Sequence, residues 1–177
     1  MMFRLNQKHS KNLGKTSCIM DGDALLSAQS LPAAILAAVM VVILMNLIWM
    51  TSASLLNRVF PWYAIIQGIP VGYAVRLAGE GLDWRFPVLA AVLAWVGAYT
   101  GNFMLAADTA ADEFGTSTLQ IISNMSEWTL GLYFNEVVNS VDHVYALSAA
   151  GIAAFLAQRR LGRSEEYALR THKSDQP

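Results

Sequence analysis

The apolar residues of the chain fall into four long runs that are separated by shorter polar stretches. The runs cover about 31–50, 61–78, 86–107 and 143–158, and the fourth is the shortest and least apolar. A helix of 20 residues rises about 30 Å, which matches the hydrocarbon core of a lipid bilayer. The pattern therefore predicts an all-α, polytopic membrane protein with four transmembrane helices.

Composition supports this class of protein. Of the 177 residues, 55% are hydrophobic and 14% are charged, whereas soluble domains carry about 25% charged residues. The net charge of −1 gives the chain no general attraction to nucleic acid. Cys18 is the only cysteine, which excludes an internal disulfide and a metal cluster built from cysteines.

Basic residues predict the orientation of the helices. Eleven of the twelve lysines and arginines lie before the first run, around the connection between the second and third runs, or at the end of the fourth run and beyond; the exception is Arg58. Connections rich in lysine and arginine stay in the cytoplasm. We therefore expect a membrane domain at 24–160, with cytoplasmic tails at 1–23 and 161–177.

Small residues recur every fourth position in three of the predicted helices. This spacing places them on one helix face, where the backbone of a neighbouring helix can approach closely. Two such pairs lie on the second and third helices, so these helices are predicted to form a tight hairpin packed along its glycine faces. The small residues are Gly68 and Gly72, Gly97 and Gly101, and Ala146, Ala150 and Ala154.

The second helix also contains a proline and an arginine, which are unusual in an apolar segment. Pro70 removes one backbone hydrogen bond and is predicted to kink the helix near Ile66. Arg76 is predicted to anchor the helix end by extending its charge to the cytoplasmic headgroups. Gly79 and Gly81 follow, and we expect them to end the helix and reverse the chain.

The connection 108–142 contains six acidic residues and no lysine or arginine, so it is predicted to face outwards. It is too long and too apolar for a plain loop. We expect two amphipathic helices on the outer membrane surface, at about 118–126 and 127–139. Their apolar residues would contact lipid or a protein partner, and the candidate contacts are Leu119, Ile122, Trp128 and Leu132.

Polar residues are few inside the predicted spans. Asn46, Gln67 and Asn102 could meet in the bundle and bond to one another, primarily as structural glue and secondarily as a polar pathway. Proton relays and cation carriers normally need an aspartate, glutamate or histidine in mid-span, and the spans contain none there.

Candidate chemistry is sparse outside the spans as well. Glu136, Asp142 and His143 could hold a metal, although an exposed interfacial pair of Asp142 and His143 is the simpler interpretation. Nucleophile-elbow, phosphate-loop and dinucleotide-binding motifs are absent from the sequence. We therefore predict no catalytic, cofactor-binding or metal-binding residues.

Three segments resemble parts of small uncharacterised bacterial inner-membrane proteins. They are GIPVGYAVRLAGEG at 68–81, FPVLAAVLAWVGAYTGNF at 86–103 and VDHVYALSAAGIAAFLAQRR at 141–160. In the similar proteins a glycine-rich helix ending in V-R-L-A-G leads into a second helix rich in alanine and glycine. The resemblance implies a multi-pass protein of the bacterial inner membrane and implies no activity.

Three functions remain open. We favour a non-catalytic accessory or scaffolding subunit of a larger membrane complex, whose partners would be lipid and other membrane subunits. The alternative is a small homo-oligomeric transporter or channel using Gln67, Pro70 and Asn102. The third is a membrane enzyme using the outer acidic residues and His143.

Overall fold

The computed structural model of the chain describes residues 27–126, 129–131, 133, 138–159 and 162. The chain divides into two units. Gln29–Arg159 contains the helices discussed below, and the second unit, Met1–Ala28 with Arg160–Pro177, is described only at residues 27, 28 and 162. The predictions for both tails, Trp128 and Leu132 thus fall outside the described residues, apart from Gly162 in the C-terminal tail.

The described residues are helical and contain no strand, as the all-α prediction requires. Five helices of six or more residues are described: α1 (Leu31–Leu56), α2 (Tyr63–Gly79), α3 (Arg85–Phe114), α4 (Thr118–Ser123) and α5 (Ser140–Ala157). The helix predicted at 118–126 ends three residues early, at Ser123.

Three of these helices, α1, α3 and α5, are long and apolar enough to cross a membrane. The helix α2 has 17 residues, so it rises about 25 Å, slightly less than the thickness of a hydrocarbon core. The structure therefore supports a membrane protein with three candidate spans.

Two helices extend beyond the apolar runs that predicted them. Helix α1 continues to Leu56, and the hydroxyls of Thr51 and Ser52 donate to backbone carbonyls one turn earlier, at 2.7 Å each. Helix α3 continues through polar residues to Phe114 and ends at Gly115, whose φ of 61° is left-handed. The helix ends were predicted too early because the last turns of α1 and α3 contain hydroxyl and acidic residues, which are also common in loops.

Helices α2 and α3 occupy the centre of the bundle. Both contact α1 and both contact α5, whereas α1 and α5 share no contact among the described residues. The start of α1 lies beside the end of α2, since the Ser30 amide donates to the Gly79 carbonyl at 3.0 Å. Helix α2 therefore returns the chain along α1, in the opposite direction.

The centre of the bundle is built largely from small side chains, which lets the helices pack closely. One buried cluster gathers Ala34, Ala38, Val71, Val75, Phe86, Ala90, Ala94, Ala153 and Ala157. A second gathers Trp49, Ala53, Ala64, Ala98, Leu105 and Ala146. Neither cluster contains a charged residue.

The turn between α2 and α3 is stabilised differently from the prediction. Glu80, not a glycine, adopts the left-handed conformation, with a φ of 45°. Gly79 and Gly81 instead lie against the Phe86 ring, and a β-carbon at Gly81 would overlap it. The Glu80 carboxylate pairs with Arg159 at 3.1 Å, which ties this turn to the chain just after α5.

Candidate functional site

A chain of hydrogen bonds between neutral side chains joins three helices, running from the buried Gln67 and Asn46 to the exposed Thr100. Gln67 on α2 donates from Nε2 to Asn46 Oδ1 on α1 at 3.0 Å. Asn46 in turn donates from Nδ2 to Thr100 Oγ1 on α3 at 3.0 Å. The Thr100 hydroxyl donates to the Gly97 carbonyl, which ends the chain of bonds. We call Asn46, Gln67 and Thr100 the amide network.

The glycines of α3 provide the space that this network occupies. A β-carbon at Gly97 would lie 2.6 Å from Gln67 Nε2, and one at Gly101 would lie 2.8 Å from Asn46 Oδ1. Gly101 also accommodates the Trp49 ring, which is buried and stacks on Tyr63 with 5.4 Å between ring centroids. The extension of α1 to Leu56 places Trp49 two turns from the helix end.

Two buried polar atoms, one in the network and one on the neighbouring Trp49, have no hydrogen-bond partner in the described part of the chain. Gln67 has no exposed surface, and its Oε1 atom is buried without a hydrogen-bond partner. Trp49 Nε1 is likewise buried without a hydrogen-bond partner. Amides and hydroxyls do not ionise, so the network can position helices and recognise a neutral polar group, but it cannot carry a proton as a carboxylate would.

Asn102 does not join the network, contrary to the prediction that the three amides meet. It lines a pocket of about 210 Å³ at the end of the bundle where α5 begins, together with Thr109, Tyr133 and Asp142. Tyr133 packs edge-on against Phe103. Burial, followed by the charge of Asp142, raises the pKa of the Tyr133 hydroxyl to about 12.

A second pocket of about 220 Å³ adjoins the first and has Val59, Leu105 and Thr109 in common with it. Its polar lining includes Arg58 and Asp112. Arg58 thus lines the same pocket as the carboxylates of Asp108 and Asp112.

Asp142 and His143 have structural roles in the described residues. Asp142 accepts the backbone amide of Asn139 at 2.9 Å as part of the capping box that begins α5. His143 Nδ1 forms a hydrogen bond with the Tyr99 hydroxyl. The third candidate ligand, Glu136, lies outside the described residues, and the described residues contain no group of three or more side chains suited to a metal.

The glycines of α2 face α5 rather than α3, so the predicted pairing of the two glycine faces is wrong. A β-carbon at Gly68 would overlap the backbone of Ala149, and one at Gly72 would lie 2.7 Å from the Ala153 carbonyl oxygen. On α5 the buried positions are Ala146, Ala149, Ala153 and Ala157. Ala150 and Ala154, which were predicted to share the face of Ala146, are only partly buried.

The remaining predicted residues lie outside these contacts. Pro70 lies inside α2, which continues as one helix across it. Arg76 is in the last turn of α2 and is partly exposed. Leu119 is exposed and Ile122 is partly buried on α4.

Two contacts of this region, the exposed Thr100 and the buried Trp49, were not identified from the sequence. Both lie three residues from a residue that was identified, Thr100 from Gly97 and Trp49 from Asn46. A spacing of three keeps side chains on one helix face, so that spacing was the available signal.

The chain has no significant match among known protein families, curated proteins or solved structures.

Proposed function

We propose that this chain is a non-catalytic accessory or scaffolding subunit of a larger protein complex in the bacterial inner membrane. The observation that carries the proposal is the closed bundle interior. Alanines and valines fill most of it, together with Trp49, Phe86 and Leu105, and the buried polar residues in the described part of the chain are the neutral side chains Asn46 and Gln67. An interior of this kind supports rigid helix packing, so the chain would contact other molecules through the surfaces of the bundle.

Four membrane crossings are part of the proposal, with α2 as the short fourth span. Helix α2 begins after the end of α1 and ends beside the start of α1. It therefore returns the chain across the thickness that α1 crosses. Arg76 in its last turn would extend to the cytoplasmic headgroups, and the distribution of basic residues favours cytoplasmic termini.

The transporter alternative has less support from the geometry. Its candidate residues lie apart: Gln67 is enclosed between helices, whereas Asn102 lines the pocket at the end where α5 begins. Close packing of Gly68 and Gly72 against α5 favours a bundle without a path through a single copy. The enzyme alternative has less support as well, because Asp142 and His143 are engaged in helix capping and in the bond to Tyr99.

The test is co-purification. The full chain with a C-terminal tag is extracted from its native membrane in a mild detergent and purified, and the associated proteins are quantified by mass spectrometry. An unrelated tagged four-span protein from the same membrane serves as the control. We expect a stoichiometric membrane partner that the control lacks. A monodisperse preparation of this chain alone would contradict the proposal, and a pure homo-oligomer would favour the transporter alternative.

A further inference from the structure

The pocket at the C-terminal end of α1 is lined by side chains of both charge signs. Arg58 lies in the turn between α1 and α2, while Asp108 and Asp112 lie on α3. The pocket has a volume of about 220 Å³. We call it the charged pocket, and its mixed charge distinguishes it from the apolar surfaces that lipid tails cover.

Hydrogen bonds hold the backbone of Arg58 and the side chain of Asp108 in place. The Arg58 amide donates to the Ala53 carbonyl at 3.1 Å, across Asn57, whose φ of 48° is left-handed. Asp108 Oδ1 accepts the Thr118 hydroxyl at 2.7 Å. A site that is ordered before binding loses less conformational entropy when a ligand arrives.

The opposite charges line the charged pocket without pairing. Within the part of the chain that the structure describes, the Arg58 guanidinium lies more than 4.0 Å from the carboxylate oxygens of Asp108 and Asp112. The two aspartates are four residues apart, so both lie on one face of α3. A simple cation would be repelled by Arg58, and a simple anion would be repelled by the carboxylates. A ligand that carries a positive and a negative group would instead interact favourably with all three side chains.

The charged pocket lies at the depth of lipid headgroups. It is formed by α3 and the end of α1, which are both long and apolar enough to span a membrane. With 86–107 as the span of α3, Asp108 lies at the edge of the hydrocarbon, and Asp112 lies about 6 Å further along the helix axis. Headgroup layers are about 5–7 Å thick on each side of a bilayer. The pocket is also smaller than those that hold drug-sized ligands, which suits a headgroup.

We propose that the charged pocket binds the phosphoethanolamine group of a zwitterionic lipid. The ammonium lies between Asp108 and Asp112 and donates hydrogen bonds to them, and the phosphate contacts the Arg58 guanidinium. An ammonium has three N–H donors, whereas the quaternary nitrogen of phosphocholine has none, so choline lipids should bind more weakly. Glycerophosphoethanolamine in solution carries the same group, and the test separates these two sources. The inference does not depend on the proposed accessory function, because it requires only the ends of the helices.

The test is native mass spectrometry of the delipidated full chain in detergent. Phosphatidylethanolamine, phosphatidylcholine and phosphatidylglycerol with identical acyl chains are added in separate titrations, and glycerophosphoethanolamine is added in a fourth. We expect the chain to bind one phosphatidylethanolamine about tenfold more tightly than either other lipid, the difference expected for one hydrogen-bonded charge.

Charge variants test the role of each side chain. Arg58→Gln should lower the affinity for phosphatidylethanolamine about tenfold. Asp108→Asn with Asp112→Asn should lower it as well and should raise the relative affinity for phosphatidylglycerol, because Arg58 then remains without the carboxylates. The matched control is Glu113→Gln, which removes an exposed carboxylate next to Asp112 and should change neither affinity. Circular dichroism checks that each bundle is intact, and asparagine at position 108 retains an oxygen that can accept the Thr118 hydroxyl.

The outcomes decide both the site and the source of its ligand. A preference for phosphatidylethanolamine that the pocket variants lose and the control keeps would support the lipid site. Binding of glycerophosphoethanolamine with the same dependence on the variants, and without a lipid preference, would assign the pocket to a free zwitterion. Equal affinity of wild type for the three lipids without binding of glycerophosphoethanolamine, or a preference that the pocket variants retain, would overturn the inference.

Discussion

Replacing Gly72 by alanine tests the closest helix contact in the bundle. The added β-carbon would lie 2.7 Å from the Ala153 carbonyl oxygen and 2.9 Å from the Leu156 β-carbon, where ordinary contacts begin at 3.4 Å. Helices α2 and α5 must therefore separate by about 0.7 Å at this point. A gap of that size costs neighbouring atoms a quarter to a half of their dispersion energy.

The expected magnitude comes from comparison with a matched variant on α5. Gly151 lies in open space, with no atom within 4 Å of the point that an added β-carbon would occupy, so Gly151→Ala gains about 1 kcal/mol of helix propensity without a clash. Gly72→Ala gains the same propensity but also incurs an overpacking cost of about 1–3 kcal/mol. The difference in unfolding free energy between the two variants isolates the clash.

Unfolding in mixed micelles, followed by tryptophan fluorescence and circular dichroism against the fraction of sodium dodecyl sulfate, measures this difference. We expect Gly151→Ala to be as stable as wild type or slightly more stable, and Gly72→Ala to unfold at lower detergent fraction. Equal midpoints for the two variants would refute the close contact between α2 and α5.

Three further outcomes follow from individual residues. In a double-mutant cycle, Asn46→Leu and Gln67→Leu should show a coupling free energy of about 0.6 kcal/mol, the usual size for membrane hydrogen bonds; additive costs would contradict their bond. Because the pKa of Tyr133 is raised from 10.0 to about 12, the unfolded chain loses this proton first as pH rises. Wild type should therefore lose stability between pH 10 and pH 12 more steeply than Tyr133→Phe, and parallel profiles would contradict this. Glu80→Ala should be about 1 kcal/mol less stable than Glu80→Gly, since both lose the Arg159 pair but only alanine keeps the left-handed strain.

The sequence was sufficient to predict the four long helices α1, α2, α3 and α5, because the length of an apolar run is a local property. It was insufficient to predict which faces meet. Alanine and glycine occur on several sides of α5, so periodicity could not distinguish the Ala149 and Ala153 face from the Ala150 and Ala154 face. A helix that is apolar all round has no polar face to set its rotation.

The sequence was also insufficient to predict which polar residues of the candidate site meet. Asn46 and Gln67 could be identified because polar residues are rare in the spans, and they do meet. Asn102 was expected to join them, but it lies two residues after Thr100 and therefore points about 200° away around α3. Thr100 occupies the position that Asn102 was expected to fill.

The proposed function depends most on four crossings that place the turn between α3 and α4 outside the cell and the turn between α2 and α3 inside. Accessibility labelling of single cysteines in a Cys18→Ser background measures this directly. The exposed positions are Val59, Asp83 and Ser123, each replaced by cysteine and treated with a membrane-impermeant maleimide. Four crossings predict labelling of Val59→Cys and Ser123→Cys in intact cells, and of Asp83→Cys only after the inner membrane is opened. Labelling of Asp83→Cys from the same side as Val59→Cys would mean that α2 does not cross the membrane, which would contradict the four-span topology.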